Sequence, residues 1–492
     1  MANNTSQVGG SQFYSALQQK AMAAVQGIVN TQIYPIKFPA QGDFMWNWQN
    51  PNQVFNNGTY EYINALVSPD SPNSIQLSAA GGFTNAYKQV LQDIIFSLSK
   101  ADQAALTKAQ SNALTQAGTI VTDYQGIYGP ITTSQMSQAG VSTKVDYVIS
   151  FVLGSRWSGA TPPLSYTQMA SARNLKALLP KAPMGADQII TDVTVYLNLM
   201  QPVNGLSNQL QNGAWTISQL NINATNPSAT NGGMQTFDPN SGNVLGFNEG
   251  WAISYPIASI ANDLQNTSRT IEISMQTSEA SGSSLNVSVE GQTGFQVDSW
   301  LTFDVSASAS YDMSKVQGTS HDATVTIKFE GYSVVPMAPA AWQQATNVGF
   351  YFPGVIAQAV ANSGKDVTGY KFLNPPPYNL GSVANGGNFG VLTNLLIANY
   401  PTVTITYENA DFSSFEQAWS EKVSGDLTLF GFIKLGSFSQ GAYGSSYAES
   451  SDNSSFTVSF SASPAVTGVP QMMQTAYVIG GAVENPGVTP GT

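Results

Sequence analysis

The most regular pattern in the chain is an alternation of apolar and hydroxylated residues in its second half. In FQVDSWLTFDVSASASY, residues 295–311, Phe295, Val297, Leu301, Phe303, Val305, Ala307, Ala309 and Tyr311 take the odd positions, with mostly Gln, Asp, Thr and Ser between them. A period of two is the strand period, because successive side chains point to opposite faces. Unbroken, such a strand would be roughly three times the usual length of about 5–6 residues and would span about 56 Å. ATVTIKFEGYSVVPM, residues 323–337, sets Ala323, Val325, Ile327 and Phe329 against Thr324, Thr326, Lys328 and Glu330. The polar stretch between the two, which contains Gly318, suits a hairpin loop. The expectation is a long antiparallel hairpin, apolar on one face and hydroxylated on the other.

The pattern recurs 132 residues later, where VTITYE at 403–408 matches IEISMQ at 271–276. Leu396 stands as counterpart to Leu264. DLTLFGFIKLGSFSQGAY at 426–443 corresponds to the first long arm, and the stretch containing Phe456, Val458 and Phe460 corresponds to the return arm. Each copy reads as helix, strand, irregular segment, long hairpin and closing Val-Pro.

Earlier in the chain the period is helical. TNAYKQVLQDIIFSLSK places Val90, Leu91, Ile94, Ile95 and Leu98 on one helix face behind a Thr84 N-cap. Ser99 with Asp102 starts a second helix, to about Tyr124, and GIYGP stops it. Further helices are expected to end at Pro180 and near Met200, and WAISYPIASIANDLQN and VLTNLLIANY read as helices as well. The predicted class is α+β: a helical domain at 1–220, an Asn/Gly/Pro-rich linker at 221–250, hairpin modules at 251–340 and 341–480, and a disordered tail at 481–492.

Composition narrows the function. Charged residues make up 9% of the chain, against about 25% in an ordinary globular domain, and hydroxyls and amides solvate the surface instead. A net charge of −12 with 17 scattered basic residues provides no cationic patch for a phosphate backbone, so no nucleic-acid partner is expected. There is no cysteine and a single histidine, His321; disulfides, zinc-thiolate sites and multi-His metal centres are therefore excluded within one chain. No cofactor or metal is predicted. The N-terminal stretch has neither a basic region nor an apolar core of the signal-peptide type, and no apolar run reaches the ~18 residues of a membrane-spanning helix. The expected location is extracellular, or released by another route.

Three functions fit these features. The first is a non-enzymatic, self-associating, pore-forming protein. Its amphipathic hairpins would show apolar groups to lipid and hydroxyls to a lumen, with Phe295, Val297, Leu301, Phe303, Val305, Val325, Ile327, Phe329, Phe456, Val458 and Phe460 on the apolar side. Trp46 and Trp48 would serve as an interfacial aromatic anchor. The partners are then further copies of the chain and a lipid membrane or surface receptor. The second is a structural assembly subunit of a virion, sheath or fibre. The third is a glycan-binding protein or glycoside hydrolase, for which Asp43, Glu61, Glu249 and Asp411 lie near aromatics without a catalytic spacing.

Overall fold

The computed structural model describes residues 4–37, 42–45, 48–49, 54–78, 82–153, 185–238, 241–278, 285–289, 295–297, 301–303, 311–312, 322–408, 428–429, 433–434, 443–450, 454–462 and 475–488. The chain is α+β, with a helical N-terminal part and a strand-rich C-terminal half. It divides into two compact units that are discontinuous in sequence. One comprises Met1–Asp93, Gln219–Ala357 and Asn374–Thr492, and the other Ile94–Ser218 with Gln358–Leu373. The helical part is expected to run over 1–220. The first 93 residues, however, belong with the β-rich half, because their apolar groups complete its core.

The helical unit is built on the helix Lys100–Tyr128, capped by Ser99, whose Oγ accepts from the Asp102 amide at 3.0 Å. The helix ends at Tyr128, with Gly129 as its C-cap, four residues later than the sequence suggests. Ile120, Tyr124, Val148, Ile149, Val152 and Ile189 form the centre of its core. The helix over residues 84–100 is shorter than expected. Gly82–Gln92 is helical and Thr84 lies inside it, whereas Ile94–Ser97 is a strand paired with Gly369–Phe372. Ile94, Ile95 and Phe96 are β-branched or aromatic, and a pleated surface suits them better than a helix end. The helix expected to stop near Met200 is continuous from Asp187 to Thr225 with Pro202 inside it, and it occupies the start of the supposed linker. Met234–Phe237 and Val244–Asn248 form a strand pair in the remainder of that linker. The helix expected to end at Pro180 lies outside the described residues.

The β-rich unit is organised by a seven-stranded antiparallel sheet. Its strands are β1 (Thr270–Ser278), β2 (Leu285–Val289), β3 (Phe295–Val297), β4 (Asp322–Glu330), β5 (Thr402–Glu408), β6 (Tyr443–Glu449) and β7 (Ser455–Ala462), in the order β3-β2-β1-β4-β5-β7-β6. Alternation decides the two faces. Ile271, Ile273, Met275, Val325, Ile327, Phe329, Val403, Ile405, Phe456, Val458 and Phe460 are buried on one side. Ser274, Thr324, Thr326, Thr404, Thr406, Thr457 and Ser459 stand half-buried on the other. The N-terminal helix Asn4–Ala24 packs on the apolar face, contributing Phe13, Tyr14, Ala16, Leu17 and Ala21 to the same core.

Two of the central strands bend into a second sheet. β4 passes through Gly331 into Ser333–Pro339, and Val391–Ala398 passes through residues 399–401 into β5. The second sheet runs Ile33–Pro35, Thr475–Glu484, Val391–Ala398, Ser333–Pro339, Trp251–Ile253, with Gly42–Met45 also on Thr475–Glu484. Gly331 has φ 59°, and a Cβ there would lie 2.0 Å from the Leu264 carbonyl, so only glycine fits. Asn399 fastens the same corner, with its Nδ2 donating to that carbonyl at 2.7 Å and its backbone N donating to Glu330 O at 3.1 Å.

Several expectations change here. VLTNLLIANY is the buried strand Val391–Ala398, not a helix, because its Leu and Ile side chains are needed on both faces of a covered sheet. WAISYPIASIANDLQN splits into the strand Trp251–Ile253 and the helix Ile257–Gln265. Much of the supposed tail is structured, since Gly481, Ala482, Asn485 and Pro486 are buried. The predicted hairpin between 295–311 and 323–337 does not form: β4 is paired along both edges, by β1 on one side and β5 on the other.

Ile327→Ala should lower unfolding stability by about 2–5 kcal/mol, while Thr326→Ala on the opposite face should change it by less than about 0.5 kcal/mol. Denaturant titration of the two variants checks the assignment of faces.

Candidate functional site: one end of the central sheet

The two repeated sequence units meet in the middle of the sheet. β1 pairs with β4 from Thr270↔Glu330 to Thr277↔Ala323, and β5 pairs with β7 from Val403↔Phe460 to Glu408↔Ser455. The strands matched by the 132-residue offset, β1 with β5 and β4 with β7, thus form two antiparallel pairs. These are joined by β4·β5, whose register begins at Asp322↔Glu408.

All four strands therefore open at one end of the sheet, around Ser278, Asp322, Glu408 and Ser455. From that end leave two insertions, residues 279–321 and 409–454, of 43 and 46 residues. Each returns a strand to an outer edge of the central four. β2 lies against β1, with Met275↔Val289 and Gln276↔Ser288, and β3 lies on β2. On the far side β6 lies against β7, with Ser446↔Ser459 and Tyr447↔Val458. Both edges that would otherwise present unpaired amides and carbonyls are thus closed by strands from the protein's own insertions. Other parts of the insertions pair with one another: Leu301–Phe303 lies between Tyr311–Asp312 and Thr428–Leu429, and Thr428–Leu429 pairs with Ile433–Lys434.

The opposite end of the sheet is tied down. Arg269 forms an ion pair with Asp263, and its guanidinium lies 4.4 Å from the Tyr332 ring centroid. Tyr255 and Ser333 donate to Asp263 Oδ2 at 2.9 and 2.8 Å, and the Gly331 amide donates to Arg269 O at 2.8 Å. At the open end Tyr407 stacks on Phe456 with centroids 4.6 Å apart, and burial pushes the Tyr407 hydroxyl pKa well up. The outer face offers hydroxyls to one another, Thr406 Oγ1 to Thr457 Oγ1 at 3.2 Å, along with the exposed Lys328–Glu330 pair. A hydrogen bond to Glu330 pushes the Lys328 pKa up.

Of the sequence-predicted residues, Val325, Ile327, Phe329, Phe456, Val458 and Phe460 come together on the buried face. Phe295 and Val297 lie on the edge strand β3, opposite Val287 and Leu285. Leu301 and Phe303 belong to the small sheet between the insertions. Val305, Trp46 and His321 lie outside the described residues, and Trp48 belongs to the two-residue strand Trp48–Gln49, opposite Phe55. The helical cover of the sheet was not anticipated, although Phe13, Leu17, Ala21 and Val25 recur at a spacing of four.

No family model, curated protein or solved structure matches the chain.

Among the described residues no group of three or more His, Asp or Glu could hold a metal ion, and no helix is long and apolar enough to cross a membrane. The carboxylates considered for glycan chemistry are dispersed. Glu249 accepts from Tyr60 at 2.7 Å and lies 3.6 Å from Lys88, while Glu61 accepts from Asn57 at 2.7 Å. Asp411 lies outside the described residues, and Asp43 stands on Gly42–Met45 opposite Tyr477.

A different carboxyl pair does form, in the helical unit. A hydrogen bond to Asp192, with burial and the second charge adding, pushes the Asp123 pKa up. Gln116 and Gln188 donate to Asp192 Oδ1 and Oδ2 at 3.3 and 3.1 Å. Because the folded-state value is raised, this pair contributes stability that is fully present below the ordinary aspartate range and is lost as pH rises through the folded value. Asp192→Asn should remove this pair's share of the pH dependence, so that the difference in melting temperature between variant and wild type changes as pH falls from neutrality; circular dichroism melts of both proteins over a pH series measure it.

Proposed function

We propose that the chain is a non-enzymatic, self-associating protein that perforates membranes by unfolding its two insertions from the edges of the central sheet and extending them as β-hairpins. The observation that carries this reading is the shared open end, with two insertions leaving it and both outer edges occupied by the strands those insertions return.

Physical reasoning supports each step. β1, β4, β5 and β7 alternate in direction, so β7 of one copy and β1 of the next run antiparallel once β6 and β2 have left. That contact is heterologous, joining unlike surfaces, and it closes a ring when the rotation per copy permits. The insertions could then continue the four strands. An arm of roughly twenty residues exceeds the ~9–11 that a tilted strand needs to cross a bilayer. Closure satisfies every backbone donor and acceptor in the hydrocarbon. The alternation in residues 295–311 supplies Phe295, Val297, Leu301, Phe303 and Val305 for lipid, and Gln, Thr and Ser for the lumen. Scarce charge on the strands lowers the cost of burial. The protein would act after release from the cell that makes it, with further copies of itself and a lipid surface as partners.

The absence of cysteine makes this testable with introduced disulfides. Gln276→Cys with Ser288→Cys locks β2 to β1, and Ser446→Cys with Ser459→Cys locks β6 to β7. Wild-type protein should empty dye-filled liposomes, either oxidised double variant should be inert, and reduction should restore release. Liposomes that stay sealed with wild-type protein from acidic to neutral pH and across neutral and anionic lipids would sink the proposal. So would oxidised variants that release dye as fast as reduced ones. Regular particles or filaments formed without lipid, seen by negative-stain microscopy, would assign the same edges to a structural assembly.

A further inference from the structure

A cavity of about 670 Å³ lies in the β-rich unit, away from the central sheet. It is walled by Thr31, Gln32 and Tyr34, by the helix Pro353–Ala361, by Ser382 and Val383, and by the end of the strand Thr475–Glu484 with the residues that follow it. That volume is within the range of small-ligand sites.

Several of its polar groups keep hydrogen-bonding capacity to spare. Glu484 Oε1 accepts the Tyr351 hydroxyl at 3.0 Å, and among the described residues Glu484 Oε2 has no protein donor. Gln32 Oε1 accepts from the buried Tyr34 hydroxyl at 3.1 Å, and among the described residues the Gln32 amide nitrogen has no acceptor. Ser382 makes no side-chain cap bond. Burial pushes the Tyr34 pKa up, so its hydroxyl stays neutral. Pro353, Pro486 and Val383 add apolar wall. The walls are pinned together: Asn485 Oδ1 accepts from the Val383 amide at 3.2 Å, and its Nδ2 donates to Phe389 O at 3.3 Å. A site held open before binding loses less entropy when it is filled.

The lining contains no Lys, Arg or His. An anionic ligand would meet the Glu484 carboxylate with nothing to neutralise it, and a purely apolar one would strand the amide, hydroxyl and carboxylate without water. A pyranose ring satisfies both requirements, since its C–H face packs on proline and valine while adjacent hydroxyls donate to a carboxylate and accept from an amide. We propose that this cavity binds the terminal sugar of a neutral glycan, with Glu484, Gln32 and Ser382 as its polar contacts.

The test needs no membrane, so its failure is separable from failure of the perforation proposal. Saturation-transfer NMR against glucose, galactose, mannose and N-acetylglucosamine methyl glycosides should show transfer to at least one sugar. The Kd by calorimetry should rise tenfold or more in Glu484→Gln and in Gln32→Ala. Gln32 is exposed, so its variant keeps the fold, and unchanged thermal melts verify that for both. The proposal is overturned by no transfer to any of the four sugars, by binding that both substitutions leave intact, or by saturable binding of choline or inorganic phosphate in their place.

Discussion

Everything in the β-rich unit rests on covering one apolar sheet face. Four strands each place a side chain of Val, Ile, Phe, Met or Tyr on the same side at every second position, and that surface cannot be left in water. The N-terminal helix supplies the cover through Phe13, Tyr14, Leu17 and Ala21. It is fastened further along the chain by Gln18 donating to Ile33 O at 3.1 Å and by the Tyr332 hydroxyl donating to Ala24 O at 2.6 Å. The helix is thus tied both to the second sheet and to the corner beyond Gly331.

The same sheet treats its two dimensions differently. Along the strands, one end is clasped by Asp263, Arg269 and Asn399, and the other ends in long insertions. Across the strands, among the described residues, the central four are joined over eight, seven and six register positions at β1·β4, β4·β5 and β5·β7, and the two insertions add β2 and β6 outside them.

Much of this was readable from the chain, and the failures have causes. Period-two alternation assigned Val325, Ile327, Phe329, Phe456, Val458 and Phe460 to one face because burial follows side-chain direction on a strand. The same alternation in residues 295–311 could not say which strand those residues join, since pairing depends on partners distant in sequence. Hairpin proximity suggested β4, whose edges β1 and β5 already take. Val391–Ala398 is apolar apart from Thr393 and Asn394, and a short, mostly apolar run does not distinguish a buried strand from a helix. The cavity was invisible because Gln32, Pro353, Ser382 and Glu484 come from four separate stretches with no shared spacing.

The hydroxylated outer face also shapes how such a protein can drift over generations. Ser274, Thr326, Thr404 and Ser459 neighbour one another across the strands, and exchange among small polar residues at such wet positions is close to neutral. Gly331 has no such latitude, because any β-carbon there would collide with a carbonyl. Lineages of this architecture would diverge fastest on the surface facing water while holding on to a corner glycine and a two-residue rhythm.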